Sequence, residues 1–172
     1  GRRNASTAMT SILFLVFFIT GCAWSLIRHP IYGLMMYVAV FYLHPPSRWW
    51  GQGWMADVRW AYIAGAVAFV SMILHWKRLD SRSPFAQPVI WGLLAYVIWI
   101  AIQSAWVLDS VAHQDLVSYF AKYLVVAFII VKAVDSERNL KLFLWAHVLG
   151  CLYLAWVAND RYATGRFEGF GG

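Results

Sequence analysis

Two arginines near the end of this chain, Arg161 and Arg166, stand among Gly165, Gly169, Gly171 and Gly172. A guanidinium presents a planar fork of donors that grips phosphate bidentately and keeps its charge. Glycine permits close backbone approach and positive φ. Together they are the residue types that hold a diphosphate. An ordinary solvated turn uses the same residues, and on spacing alone the turn is the better reading. His147 and Cys151 lie one helical turn apart inside an apolar stretch and have the chemistry to ligate a metal or haem. Two ligands without a third make a weak set, and a hydrogen-bonded packing histidine is the better reading. Lys122 lies near the start of an apolar stretch, where snorkelling to the interface competes with a role inside the membrane. His29, His44, His75 and His113 all sit near block ends. No zinc, haem or iron–sulfur spacing, nucleophile motif or phosphate loop is present, so no metal and no cofactor are expected. Cys22 and Cys151 are too few to argue a disulfide framework.

The elements that must position these residues are apolar. Of 172 residues, 62% are hydrophobic and 13% charged, where a soluble domain carries about 25% charged residues. The apolar residues run in blocks at 10–27, 31–43, 59–76, 89–108, 116–134 and 140–158. A spanning helix needs roughly 20 of them. Lipid offers backbone groups no partner, so a crossing is a helix or part of a closed barrel. The blocks do not alternate with period two, which favours helices. The expectation is an all-α, polytopic transmembrane bundle of about six spanning helices, the second one short and tilted or partly interfacial. Ala61 with Gly65, and Ala64 with Ala68, put small residues at the spacing that lets helices approach closely. The 11 Trp, 9 Tyr and 11 Phe suit an aromatic belt at headgroup depth as well as bulk packing.

Arg28-His29-Pro30, His44-Pro45-Pro46, Lys77 to Pro84, Asp109 to Asp115 and Asp135 to Lys141 separate the blocks. The 44–58 segment, with Trp49, Trp50 and Trp54, is expected to lie along the membrane surface. Lys and Arg collect in cytoplasmic loops. By that rule the 28–30, 77–84 and 135–141 breaks face the cytoplasm. The 44–58 loop, the 109–115 loop and both termini then face outward. Arg2 and Arg3 oppose this arrangement unless the residues before Met9 are not native or are ignored by the insertion machinery. The chain divides into an N-terminal extension 1–9, a transmembrane domain 10–158, and a segment 159–172 that begins a periplasmic loop or tail. The net charge of +6 is spread over short loops, where it orients helices and meets anionic lipid, so nucleic acid is not an expected partner.

Two segments resemble a known family. The break Arg28-His29-Pro30, a short helix with Gly33, then Tyr42-Leu43-His44-Pro45-Pro46 and Trp49-Trp50-Gly51, is similar to the start of the exosortase-associated O-glycosylation ligases. These belong to the O-antigen ligase and polymerase superfamily. The run Asp160-Arg161-Tyr162-Ala163-Thr164-Gly165-Arg166-Phe167-Glu168-Gly169-Phe170-Gly171-Gly172 resembles the Arg-x-x-Gly-x-x-Gly stretch that opens the family's large periplasmic loop. The resemblance implies a protein of the bacterial inner membrane and an inverting, metal-independent glycosyl transfer from an undecaprenyl-diphosphate-linked glycan. Arg166 would contact the diphosphate and stabilise charge developing on the leaving group, with Arg161 beside it. The family's catalytic histidine lies further along that loop than this chain reaches. The chain therefore reads as the N-terminal part of such a ligase, or as a shortened relative put to another use. A second expectation is non-catalytic: a helical subunit of a larger respiratory or photosynthetic membrane complex, in contact with other membrane subunits.

Overall fold

The computed structural model describes residues 2–48, 50–51, 53–79 and 83–165, with residues 2–7 described by their backbone. Among these the fold is all-α. The helices are α1 (Arg2–Ile27), α2 (Ile31–Leu43), α3 (Trp60–Leu74), α4 (Pro88–Gln103), α5 (Ser110–Ala133) and α6 (Glu137–Ala163).

The expectation of about six spanning helices is corrected. Among the described residues, three helical stretches are long and apolar enough to cross a membrane: Ala8–Ile27, Ser110–Ala133 and Glu137–Ala163. The chain is thus a multi-pass helical membrane protein in which, among the described residues, three helices and not about six have the length and apolarity of a span. The other helices have 13, 15 and 16 residues. At 1.5 Å per residue they are about 20–24 Å long, whereas the hydrocarbon core is about 30 Å thick. Local chemistry shortens them. His44 adopts φ +43° and caps α2, and Pro45 opens a 3-10 turn directly after it. α4 starts at Pro88, whose missing N–H costs nothing in a first turn. It ends at Gln103, and 104–106 continue as turns instead of helix.

The long helices carry cleaner start signals. The Asp109 carboxylate accepts from the N–H groups of Val111 (3.1 Å) and Ala112 (3.0 Å), which caps α5. The Ser136 hydroxyl accepts from the Asn139 N–H and caps α6. α5 begins at Ser110 and α6 continues to Ala163. Each therefore extends past one edge of its apolar block.

α2 is the central element, packed against α1, α3 and α6 and touching α5, while α4 lies against α5. Contacts along the rods fix their directions. α1 meets the 44–58 segment at its N-terminal half, where the Ser11 hydroxyl donates to the Trp50 carbonyl. Its C-terminal end meets α3, where the Ser71 hydroxyl donates to the Ser25 carbonyl. His29 and Asp135 join the lower ends of α2 and α6, and Tyr42 and His147 join them further up. α2 and α6 are therefore parallel, and α1 and α3 run opposite to α2. The His113 ring N–H donates to the Ile100 carbonyl (2.8 Å), pinning the end of α4 to the start of α5.

Two apolar clusters hold the bundle. One joins Phe14 and Phe18 of α1 to Trp50, Met55 and Trp60, with ring centroids 5.2 Å apart between Trp60 and each phenylalanine. The Trp60 indole also donates to the Met55 carbonyl (2.8 Å). Trp50 and Trp60 are thus core residues, whereas Trp91, Trp99, Trp106, Trp145 and Trp156 are exposed, as a lipid-facing or interfacial role requires. The second cluster joins Ile31 and Leu34 to Ala68, Met72, Leu79, Ile129 and Ala133. Ala64 and Ala68 are fully buried, so that pair forms the close approach. Gly65 faces the Tyr37 ring at ordinary contact distance.

Ser25 Oγ is buried and has no hydrogen-bond partner. A buried hydroxyl without a partner costs free energy, and its removal restores it. Ser25→Ala is expected to be neutral or to stabilise by up to about 1 kcal/mol. Urea or heat unfolding in detergent checks this, and a clear loss of stability would contradict it.

Candidate functional site at the 44–58 end

The direction of the helices sorts the loops onto two ends. One end carries Arg28, Lys77, Arg78, Lys132, Arg138 and Lys141 against Asp135 and Glu137. The opposite end carries Arg48, Arg59 and Arg161 against Asp57, Asp109, Asp115 and Asp160. The first is strongly basic and is the end that the positive-inside rule puts in the cytoplasm. The second holds the 44–58 segment and the last turn of α6.

The 44–58 segment is a folded cap. It makes 3-10 turns at Pro45–Ser47 and Gly53–Met55. Gly51 is tucked so close to the Pro45 carbonyl that a Cβ there would collide with it. The Arg48 guanidinium donates to the Leu43 carbonyl (2.9 Å) and lies over the Tyr153 ring at 5.1 Å from its centroid. That cation–π contact joins the cap to α6. Arg161 sits half-buried in the last turn of α6, about two turns beyond Tyr153. Thr164 closes the helix by donating to the Asp160 carbonyl (2.8 Å), and Gly165 follows at φ +66°, a conformation that suits glycine. Arg166, expected to be the principal diphosphate contact, lies outside the described residues. So do Glu168 and the glycines that follow.

His147 and Cys151 converge on one hydroxyl. The Cys151 thiol donates to Tyr42 Oη (3.6 Å), and Tyr42 O–H donates to His147 Nδ1 (3.1 Å). The Phe143 and Tyr42 rings pack edge-on to the imidazole. This relay fastens α6 to α2 and uses the histidine nitrogen that faces it. Among the described residues no group of three or more His, Cys, Asp or Glu is arranged to hold a metal ion.

Lys122 differs from its sequence reading. Because α5 starts at Ser110, Lys122 lies halfway along a spanning helix and not near its beginning. Its ammonium stands over the Tyr119 ring at 5.2 Å. It lines a cleft of about 1300 Å³ between α2, α3 and α5 that also admits His44, Asp57, Arg59 and Asp115. The α5 wall of this cleft is one face of the helix: Asp115, Ser118, Tyr119, Lys122, Tyr123, Val125, Val126 and Ile129. This face is polar toward the 44–58 end and apolar toward the middle of the bundle. Sequence reasoning missed the cleft, although the helical spacing of Asp115, Ser118, Tyr119 and Lys122 was a visible signal.

At the basic end, His29 is fixed between two partners. Its Nδ1 accepts from the Ile31 N–H (3.2 Å), so Nε2 carries the proton and donates to Asp135 (3.2 Å). The Asn139 amide donates to the other carboxylate oxygen (2.7 Å). Partial burial raises the affinity of Asp135 for a proton, but the hydrogen bonds from Asn139 and His29 outweigh it. The carboxyl is held below its ordinary range. A carboxyl depressed in the folded state stabilises above the unfolded value of 3.8, and that stabilisation is lost as pH falls through the folded value. The latch between the α1–α2 break and the α5–α6 turn is therefore expected to hold at pH 7 and to open as pH falls through the folded value of Asp135, below 3.8. Asp135→Ala should cost about 1 kcal/mol at neutral pH, after allowance for solvent screening. Unfolding of both proteins at pH 7 and pH 3 measures it. A difference that persists undiminished at pH 3 would refute the account.

Comparison with protein-family models, with curated proteins and with solved structures finds no match. What the fold and this end of it define is a class: a multi-pass helical membrane protein in contact with lipid, with a basic end and an opposite end that carries a folded aromatic cap.

Proposed function

We propose that this chain is a ligase- or polymerase-like protein of the bacterial inner membrane that handles glycans carried on undecaprenyl diphosphate. The observation that carries the reading is the shared end. Parallel α2 and α6 bring the 44–58 cap and the last turn of α6 together, joined by Arg48 on Tyr153, on the side opposite the basic loops. A lipid-linked glycan presents its diphosphate at the outer surface; Arg161 stands in the last turn of α6 at that end, and Arg166 follows it in sequence by five residues. In this reading the two guanidiniums bind the diphosphate, and Arg166 stabilises charge on it as the glycosyl bond breaks.

The test is binding of labelled undecaprenyl-diphosphate glycan to the purified chain in lipid nanodiscs. Arg166→Ala should weaken it by about tenfold or more, the effect of one charge-assisted hydrogen bond. Arg161→Ala should weaken it to a smaller degree. Equal binding by wild type and Arg166→Ala removes the proposed role.

A second reading, as a non-catalytic subunit of a larger membrane complex, is favoured by α6, none of whose 27 residues is buried. Gentle extraction followed by mass spectrometry separates the two. Stoichiometric comigration with other subunits supports the second, and a lone chain carrying polyprenyl lipid supports the first.

A further inference from the structure

We propose that the cleft between α2, α3 and α5 seats one zwitterionic phospholipid whose headgroup carries a phosphate and a primary ammonium. This site is separate from the one formed by Arg161 and Arg166, and the inference does not depend on that reading.

The cleft is graded in polarity. Its end near the cap offers Asp57, Arg59 and Asp115, Lys122 lies further in, and Phe69, Val125, Val126 and Ile129 line it toward the middle of the bundle. An amphiphile fits this gradient in one orientation, with its head toward the cap and its chains inward. At about 1300 Å³ the space exceeds the roughly 300–1,000 Å³ of a small-molecule pocket. An open cleft of this size suits a lipid better than a compact solute.

The charges select the head. Among the described residues no ion pair or side-chain hydrogen bond joins Asp57, Arg59, Asp115 or Lys122 to another side chain. Lys122 rests over Tyr119 alone. Lys122 stands halfway along a spanning helix, where an ionisable group is costly without a counter-charge, and two carboxylates and a second cation face the same cleft nearer the cap; a ligand bearing both signs matches this set. The phosphate goes to Lys122 and Arg59. The ammonium goes to Asp115 and Asp57, which accept its N–H hydrogen bonds. A purely anionic headgroup satisfies the cations but is repelled by the carboxylates. A quaternary ammonium has the charge but no N–H to donate.

The test uses the full chain in nanodiscs of phosphatidylethanolamine, phosphatidylcholine or phosphatidylglycerol. Release into mild detergent and native mass spectrometry then count the retained lipid. Wild type should keep one phosphatidylethanolamine, about tenfold more than phosphatidylglycerol, with phosphatidylcholine in between. The Asp57→Asn/Asp115→Asn double variant should lose that preference, and Lys122→Gln should retain less of all three. These side chains are exposed, so folding is unaffected, and a thermal melt of each variant checks this. Arg161→Ala should leave retention unchanged, which distinguishes this site from the glycan site. Retention of phosphatidylglycerol equal to that of phosphatidylethanolamine, or an unchanged preference in the double aspartate variant, would overturn the proposal.

Discussion

Gly33→Leu is expected to abolish folding of the α1–α2–α3 core, seen as loss of a monodisperse peak in detergent and of the cooperative melt. Gly33 lies where the three helices cross. A Cβ at this position would sit 2.6 Å from Ser25 Oγ on α1, and 2.9 and 3.0 Å from Cα and Cβ of Ala68 on α3. The Ala68 atoms are backbone Cα and its Cβ and have no rotor to swing aside, and Ser25 Oγ is itself buried. Relief requires α1 and α3 to move apart, which uncouples Ile31 and Leu34 from Ala68 and Met72. Gly33→Ala alone should cost about 1–3 kcal/mol, the usual range for overpacking, and Leu more. The intrinsic helix cost of glycine relative to alanine, about 1 kcal/mol, is outweighed by the close packing it allows. Two controls make the cause specific. Ser25→Ala removes the nearest clashing atom, so Gly33→Ala/Ser25→Ala should recover part of the loss. At Gly65 a Cβ would meet only the Tyr37 ring at 3.6 Å, so Gly65→Ala should be neutral or slightly stabilising. If Gly33→Leu melts like wild type, the three-helix crossing is misplaced.

This junction also marks how far sequence could be read. Ala64 and Ala68 announced a close approach, because small residues at four-residue spacing have one physical use on an apolar helix. Their partner could not be named, since Gly33 stands alone in α2 and only the crossing geometry reveals what it faces. The apolar blocks located every helix, because apolar runs and proline breaks are local signals. The count of crossings failed for a local reason as well. A block's length in residues includes turns at its edges, as at Ser104 to Trp106, which the structure removes from the rod. For α5 the error ran the other way. The polar residues Ser110 to Asp115 read as a connector, yet Asp109 caps them into the helix. That shift moved Lys122 from the edge of a block to the centre of a span and opened the cleft to view. Likewise, His147 and Cys151 share a helix face in any reading, but Tyr42 comes from far away in sequence and decides what they do.

Gly150→Leu should detach α6 while leaving the α1–α3 core intact, the opposite pattern to Gly33→Leu. α2 is the main neighbour of α6, and Gly150 is where the Tyr42 ring lies directly on the α6 backbone. A Cβ at Gly150 would collide with that ring. Tyr42 is not free to swing aside. Its hydroxyl is engaged by His147 and Cys151, and its ring packs edge-on against Phe41 and His147. A leucine therefore pushes the two helices apart at the middle of their contact, and the Arg48–Tyr153 stack above it separates with them. A photo-crosslinking residue at position 153 reads this directly. In the otherwise unaltered protein it should capture the 44–58 segment, and Gly150→Leu should reduce the capture by about tenfold or more, as expected when at least 1.4 kcal/mol of packing is lost. The main thermal transition should shift little, because α6 buries no side chain completely. Adding Tyr42→Ala vacates the space that the leucine needs and should restore capture. Unchanged crosslinking in Gly150→Leu would mean that α6 does not rest on α2 through this face, and the shared outer end of the cap and α6 would then lose its structural basis.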